Sequence, residues 1–182
     1  PFSFLSLASQ SWNQKSKEQS STPEKGPWLV TLDYPSFGPF LQHGPNRELR
    51  EKVYRSSVTK ASKGKFDNSH HITKILELKS QLCSLLGYST YAEMSVASKM
   101  APDVDAVEKL LNELRDASRK PSKDELAELQ TFAKTKGLND DLKPWDVPYY
   151  SEQLRTEKFD YSEDEVRQYF QYPVVLEGLF SL

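Results

Sequence analysis

The sequence predicts an all-α fold, a multi-helix array of antiparallel helices with a short extended segment near the N-terminus. Two observations predict it. From residue 46 onward apolar residues recur at spacings of three and four, and Asn, Ser, Pro and Asp open these stretches while Gly64, Gly87 and Gly137 close them. Trp28 to Leu32 is β-branched and apolar, a short strand or extended stretch, and runs into the turn-like Asp33-Tyr34-Pro35-Ser36.

Each element then follows in order. Ser9 to Lys25 is a mixture of Ser, Gln, Lys and Glu with little to bury, which reads as a solvated loop and makes 1–25 a polar flexible N-terminal segment. Residues 26–182 read as the helical portion. Asn46 is an N-cap for a helix that turns Leu49, Val53, Tyr54, Val58 and Ala61 inward and pairs Arg47 with Glu51 and Glu51 with Arg55 outside. A helix from Asn68 or Ser69 presents Ile72, Ile75, Leu76, Leu78, Leu82, Leu85 and Leu86 before Gly87, an apolar face wide enough to be buried on two sides. A short helix with Tyr91, Ala92, Met94 and Val96 closes a hairpin with it.

Pro102 and Asp103 start the next helix, and Ser122 with Glu125 reads as a capping box that starts another, ended by Gly137. Asp146 is a cap with Pro148 in the first turn of the following helix. Ser162 and Glu165 make a second capping box, and Pro173 opens the last helix.

Composition excludes several functions. The chain has 182 residues, about one domain, and 24 Lys and Arg against 26 Asp and Glu leave a net charge of -2, which argues against a general polyanion binder. The one cysteine, Cys83, forms no internal disulfide and packs as a small hydrophobe. No apolar run approaches the ~20 residues that span a bilayer, and no basic-flanked leader is legible before Leu7. The chain starts with Pro1, and Val174 to Leu182 stops inside an apolar run, which leads us to expect a segment of a longer chain.

Local chemistry is sparse. His70 and His71 are neighbours that point about 100° apart on a helix, so they cannot clamp one ion as an i, i+4 pair does. Asp67 and His71 at a helix start read as charge complement and surface imidazole. Nucleophile elbow and phosphate-cradle motifs are absent. Seven basic residues between Arg47 and Lys65 stand against Glu48 and Glu51, and without a row of stacking aromatics among them they read as a solvated helix face. Trp145, Tyr149 and Tyr150 either line a cleft, as peptide-channel or partner contacts, or anchor helices from within.

The order of segments is what distinguishes the chain. Gly26-Pro27-Trp28, Thr31-Leu32-Asp33, Gln42-His43 and Asn46 to Arg50 are followed by Leu85-Leu86-Gly87-Tyr88, Tyr91-Ala92-Glu93 and Lys99-Met100-Ala101. Trp145-Asp146, Tyr149-Tyr150 and Tyr169-Phe170 complete the series. This pattern resembles the thimet oligopeptidase and oligopeptidase A family of zinc metallopeptidases, in its plant and bacterial form. The resemblance implies a larger two-lobed helical peptidase with a narrow channel that cleaves short peptides, holding zinc through His-Glu-x-x-His and a downstream glutamate.

No His-Glu pair occurs in this sequence, so no catalytic and no metal residue is carried over. We therefore expect a stretch upstream of the zinc motif, inactive alone, with zinc in the full-length family member and none bound here. Its apolar C-terminal face would self-associate or pack on the remainder. Nucleic acid and membrane are not expected partners, and an intracellular location in cytosol, plastid or mitochondrion fits the cysteine scarcity. The competing expectation is a stand-alone helical module that binds peptide or a partner chain.

Overall fold

A computed structural model describes residues 2–16, 20–160, 165–166 and 168–181. The elements are α1 (Phe2–Lys15), α2 (Tyr34–His43), α3 (Arg47–Val58), a 3-10 turn (Gly64–Phe66), α4 (Ser69–Leu85), α5 (Tyr91–Val96), α6 (Val104–Thr135), α7 (Val147–Phe159) and α8 (Tyr172–Phe180). Among the described residues there is no strand, so the fold is all-α. No helix among them is long and apolar enough to cross a membrane.

The chain divides into two units, residues 1–58 with 129–182, and residues 59–128. In the first, α2 packs against α1, α3 and α7. Its core is Leu129, Phe132 and Ala133 from the end of α6, Leu138 from the loop, and Tyr150 of α7, with Leu142, Val147, Tyr149 and Leu154 packed against them. Gly137 allows this arrangement. At φ +92° it takes the left-handed conformation that ends α6, and Leu138 N–H returns to the Ala133 carbonyl at 3.0 Å.

Residues 9–15 correct the expected solvated loop, because α1 continues through Lys15. Its inner side buries Ala8 and Ser9, Phe4 meets the Phe40 ring of α2 at 6.4 Å, and Ala8 O accepts from Leu29 N–H at 3.1 Å. The Asn13 amide brackets the Ser21 backbone, donating to its carbonyl at 2.9 Å and accepting from its N–H at 2.8 Å. Trp28 to Leu32 is irregular and joins no ladder. The expected turn at Asp33 to Ser36 is the entry to α2, where Pro35 sits in the first turn and loses no hydrogen bond by lacking an N–H.

In the second unit α4 contacts α5. Asn68 and Gly87 bound α4 as expected, and Tyr88 N–H closes on Cys83 O at 2.9 Å beyond Gly87 at φ +80°. Thr90 and Glu93 form a capping box on α5. The first turn of α6 is capped by Asp103, whose carboxylate accepts from Ala106 N–H at 2.7 Å.

Two expectations here are corrected. Ser122 opens no new helix, since α6 is one element of 32 residues with Pro121 inside it. The proline forfeits one hydrogen bond, and the helix persists on either side; Lys120 reaches across it to Asp124 at 2.8 Å. The broad face of α4 is not covered on two sides. Between Thr59 and Glu128 Cys83 is the one buried residue, at 1 % exposure.

Pro173 lies in the first turn of α8, as expected, and Asp160 ends α7 in the left-handed conformation at φ +46°. The Ser162 capping box lies outside the described residues.

Candidate functional site

The strongest concentration of charge in the first unit joins α3 to the N-terminus of α7. Asn46 caps α3, accepting Leu49 N–H at 3.0 Å, and this sets the helix phase so that Arg47 and Arg50 share one side. Asp146 stands at the cap position of α7 but its carboxylate makes no cap hydrogen bond there. It faces the arginines instead. Oδ1 accepts from Arg50 Nη2 at 3.1 Å and from Arg47 Nε at 3.1 Å, and Oδ2 accepts from Arg47 Nη2 at 2.9 Å and from Lys143 N–H at 3.1 Å.

Arg50 is 1 % exposed and Asp146 0 %. Taking both charges out of water costs several kcal/mol per ion unless every polar atom finds a partner. Here they do. Arg50 Nη1 donates to Gly44 O at 2.8 Å and to Pro45 O at 3.2 Å, Nε donates to Trp145 O at 3.2 Å, and the guanidinium lies 4.0 Å over the Tyr149 ring. Arg47 is half-buried and also holds the exposed Asp140 at 2.8 Å.

Burial pushes the Asp146 carboxyl up, but the bonds from Arg47, the Lys143 amide and Arg50 outweigh it and hold the group below the ordinary carboxylate range. The same bonds, from Asp146 and then Asp140, raise Arg47. Burial raises the Tyr150 phenol. A carboxylate kept ionised and fully engaged by two guanidinium groups is a poor general base and a poor metal ligand. The arrangement is a clamp.

The three aromatic candidates stand beside it. Trp145 and Tyr150 are buried and Tyr149 is half-buried. Tyr149 and Tyr150 meet edge to face at 5.2 Å, Tyr54 lies 5.9 Å from Trp145, and the Trp145 Nε1 donor is buried without a partner among the described residues.

Two local readings are corrected. The expected Arg47–Glu51 pair is replaced by Arg47 with Asp146 and Asp140, whereas Arg55 does reach Glu51 at 2.7 Å. The basic stretch is solvated only in part, since Lys52, Arg55, Lys60, Lys63 and Lys65 are exposed but Arg50 is not. Leu49 and Val58, expected inward, are exposed.

Zinc is the metal implied by the resemblance. Among the described residues no group of three or more His, Cys, Asp and Glu is placed to hold one ion. The His70 and His71 rings lie against each other tilted by 43°, centroids 3.7 Å apart, and Asp140 and Asp146 are both engaged by Arg47. The described residues do not fit a zinc site.

Residues 40–182 match Peptidase family M3. The chain belongs to that family. Two Arabidopsis thaliana relatives, a probable cytosolic oligopeptidase A and an organellar oligopeptidase A of chloroplast and mitochondrion, are each 45% identical over 100% of this chain. The oligopeptidase A of Escherichia coli is 38% identical over 91% of it. This M3 peptidase sequence covers 26%, 23% and 25% of those three proteins, about a quarter of their length.

Proposed function

We propose that this chain is helical framework of a zinc-dependent oligopeptidase that hydrolyses short peptides, and that the cleavage chemistry belongs to residues outside it. One observation carries the reading: the family match runs from residue 40 to 182 while the sequence contains no His-Glu pair from which a His-Glu-x-x-His helix could be built. A bound zinc lowers the pKa of its water to about 7 and polarises the scissile carbonyl. Nothing in these helices replaces that.

What the chain supplies is shape and rigidity. The Arg47–Asp146–Arg50 clamp fixes α3 against the entry to α7, and so fixes Trp145, Tyr149 and Tyr150, which contribute to the wall of a peptide channel. The helical framework begins with α1 and continues through residues 26–182. The names of the relatives place oligopeptidases A in cytosol and organelles, and we assign this chain an intracellular location.

The test is cleavage of a quenched short peptide. The 182-residue chain should show no zinc-dependent turnover, and a polypeptide extended through a His-Glu-x-x-His helix should. Zinc-dependent turnover by the short chain would overturn the reading. A second reading, a stand-alone module that binds a peptide or partner chain, is favoured by the exposed apolar residues of α8, among them Val174, Leu179 and Phe180. A reading frame that continues past Leu182 into the zinc motif decides for the first, and a stop codon there for the second.

A further inference from the structure

We propose that the loop from Lys60 to Phe66 is a docking surface for an acidic segment of a partner protein. Lys60, Lys63 and Lys65 lie close together in sequence, and no Asp or Glu stands between Glu51 and Asp67. All three lysines are exposed, and among the described residues none of them is in an ion pair, whereas Lys74, Lys120 and Lys136 each hold a carboxylate. Asp67, the next acid along the chain, is turned to the start of α4, where its carboxylate accepts from Ser69 N–H at 2.9 Å and from the Ser69 hydroxyl at 2.6 Å. The Lys65 ammonium lies 4.9 Å over the exposed Phe66 ring. Three cations with no acid of their own concentrate positive potential on one loop.

Hydrogen bonds fix the backbone that carries them. Ala61 O accepts from Asn68 N–H at 2.9 Å, Gly64 O accepts from Asp67 N–H at 3.1 Å, and Thr59 O accepts from the Ser62 hydroxyl at 2.7 Å. Ala61 is left-handed at φ +54°, a conformation that a residue with a Cβ keeps only where its surroundings hold it. Strain kept in an exposed loop that contains no buried residue points to recognition rather than packing. Charge complementarity names the occupant. The loop has no arginine to fork a phosphate and one aromatic, Phe66, so it offers nucleic acid no row of stacking platforms. Its lysines are mobile point charges on long stems, suited to the spaced carboxylates of an acidic segment. The proposal stands apart from the peptidase reading, since the loop keeps its charge whether or not the chain is peptidase framework.

The experiment titrates the 182-residue chain into a fluorescently labelled decaglutamate peptide at low salt and follows anisotropy. The variant Lys60→Gln/Lys63→Gln/Lys65→Gln should weaken binding about tenfold, the combined effect of three modest surface charge contacts. Lys109→Gln/Lys120→Gln/Lys123→Gln on α6 removes the same charge and should change binding less than about twofold. Equal effects of the two, or no binding by the parent chain, would overturn the proposal. So would binding that moderate salt leaves unchanged. A single-stranded decanucleotide that binds the loop more tightly than decaglutamate would make the partner nucleic acid and overturn it as well. Acetylation of the parent chain, read lysine by lysine by mass spectrometry, gives a readout independent of variant folding. Decaglutamate should slow it more at Lys60, Lys63 and Lys65 than at Lys120, and equal protection would contradict docking at the loop.

Discussion

Arg50 Nη2 donates to Asp146 Oδ1 across 3.1 Å, joining two buried residues 96 positions apart. The bond links the second turn of α3 to the residue that opens α7, and it is paired with Arg47 on the same carboxylate. A buried pair of this kind is worth little against a well-packed apolar replacement, yet removing one member strands the other.

Asp146→Asn should therefore destabilise the chain by about 3 to 5 kcal/mol, since it leaves Arg50 buried beside a neutral amide. Arg47→Ala should cost about 1 kcal/mol or less, because Arg47 is half-buried and Arg50 remains on Asp146. Urea unfolding followed by circular dichroism measures both. Equal costs would show that the cluster behaves as a surface pair.

The clamp also fixes the sign of an acid dependence. The Asp146 carboxyl lies lower in the folded chain than in the unfolded one, so its contribution is fully present above the unfolded value of about 3.9 and is lost as pH falls through the folded value. Stability of the parent chain should decline below about pH 4, and in Asp146→Asn that decline should be shallower. Identical acid limbs in the two would contradict the assignment.

Much of this architecture is legible from sequence, for physical reasons visible in particular residues. Asn46, Gly87, Gly137 and Asp103 act through bonds to their own neighbours, and each ends or opens a helix where local chemistry says it should. Asp146 fails the same logic because its carboxylate has a stronger partner far away in the chain. Only the excess of basic residues in α3 and an isolated acid before Pro148 hinted at that pairing, and neither specifies it. Ser122 misleads for a related reason: a capping box is a local signal that the continuing helix around Pro121 overrides.

Pro121 offers a direct check on that continuity. Proline in a helix interior is about 3 kcal/mol less favourable than alanine. Pro121→Ala should stabilise α6 by about 1 to 3 kcal/mol and slow hydrogen exchange at residues 122 to 126. Unchanged exchange would mean that the helix breaks at Ser122.

Cys83 reports on the second unit. Its thiol is buried and donates to Lys79 O at 2.9 Å, so it should react with a disulfide reagent at least a thousandfold more slowly in the native chain than in denaturant. Comparable rates would show that α4 opens freely around it. Exposure of the rest of α4 makes this thiol the sensitive probe there.

The central claim is that this chain is a functional quarter of an M3 oligopeptidase without its chemistry. Replacing the matched stretch of the Arabidopsis cytosolic oligopeptidase A by these 182 residues and assaying cleavage of a quenched short peptide tests it most directly. The account predicts zinc-dependent cleavage within tenfold of the parent, abolished when Asp146→Asn unseats the framework. A folded, zinc-loaded chimera that cleaves nothing would contradict it.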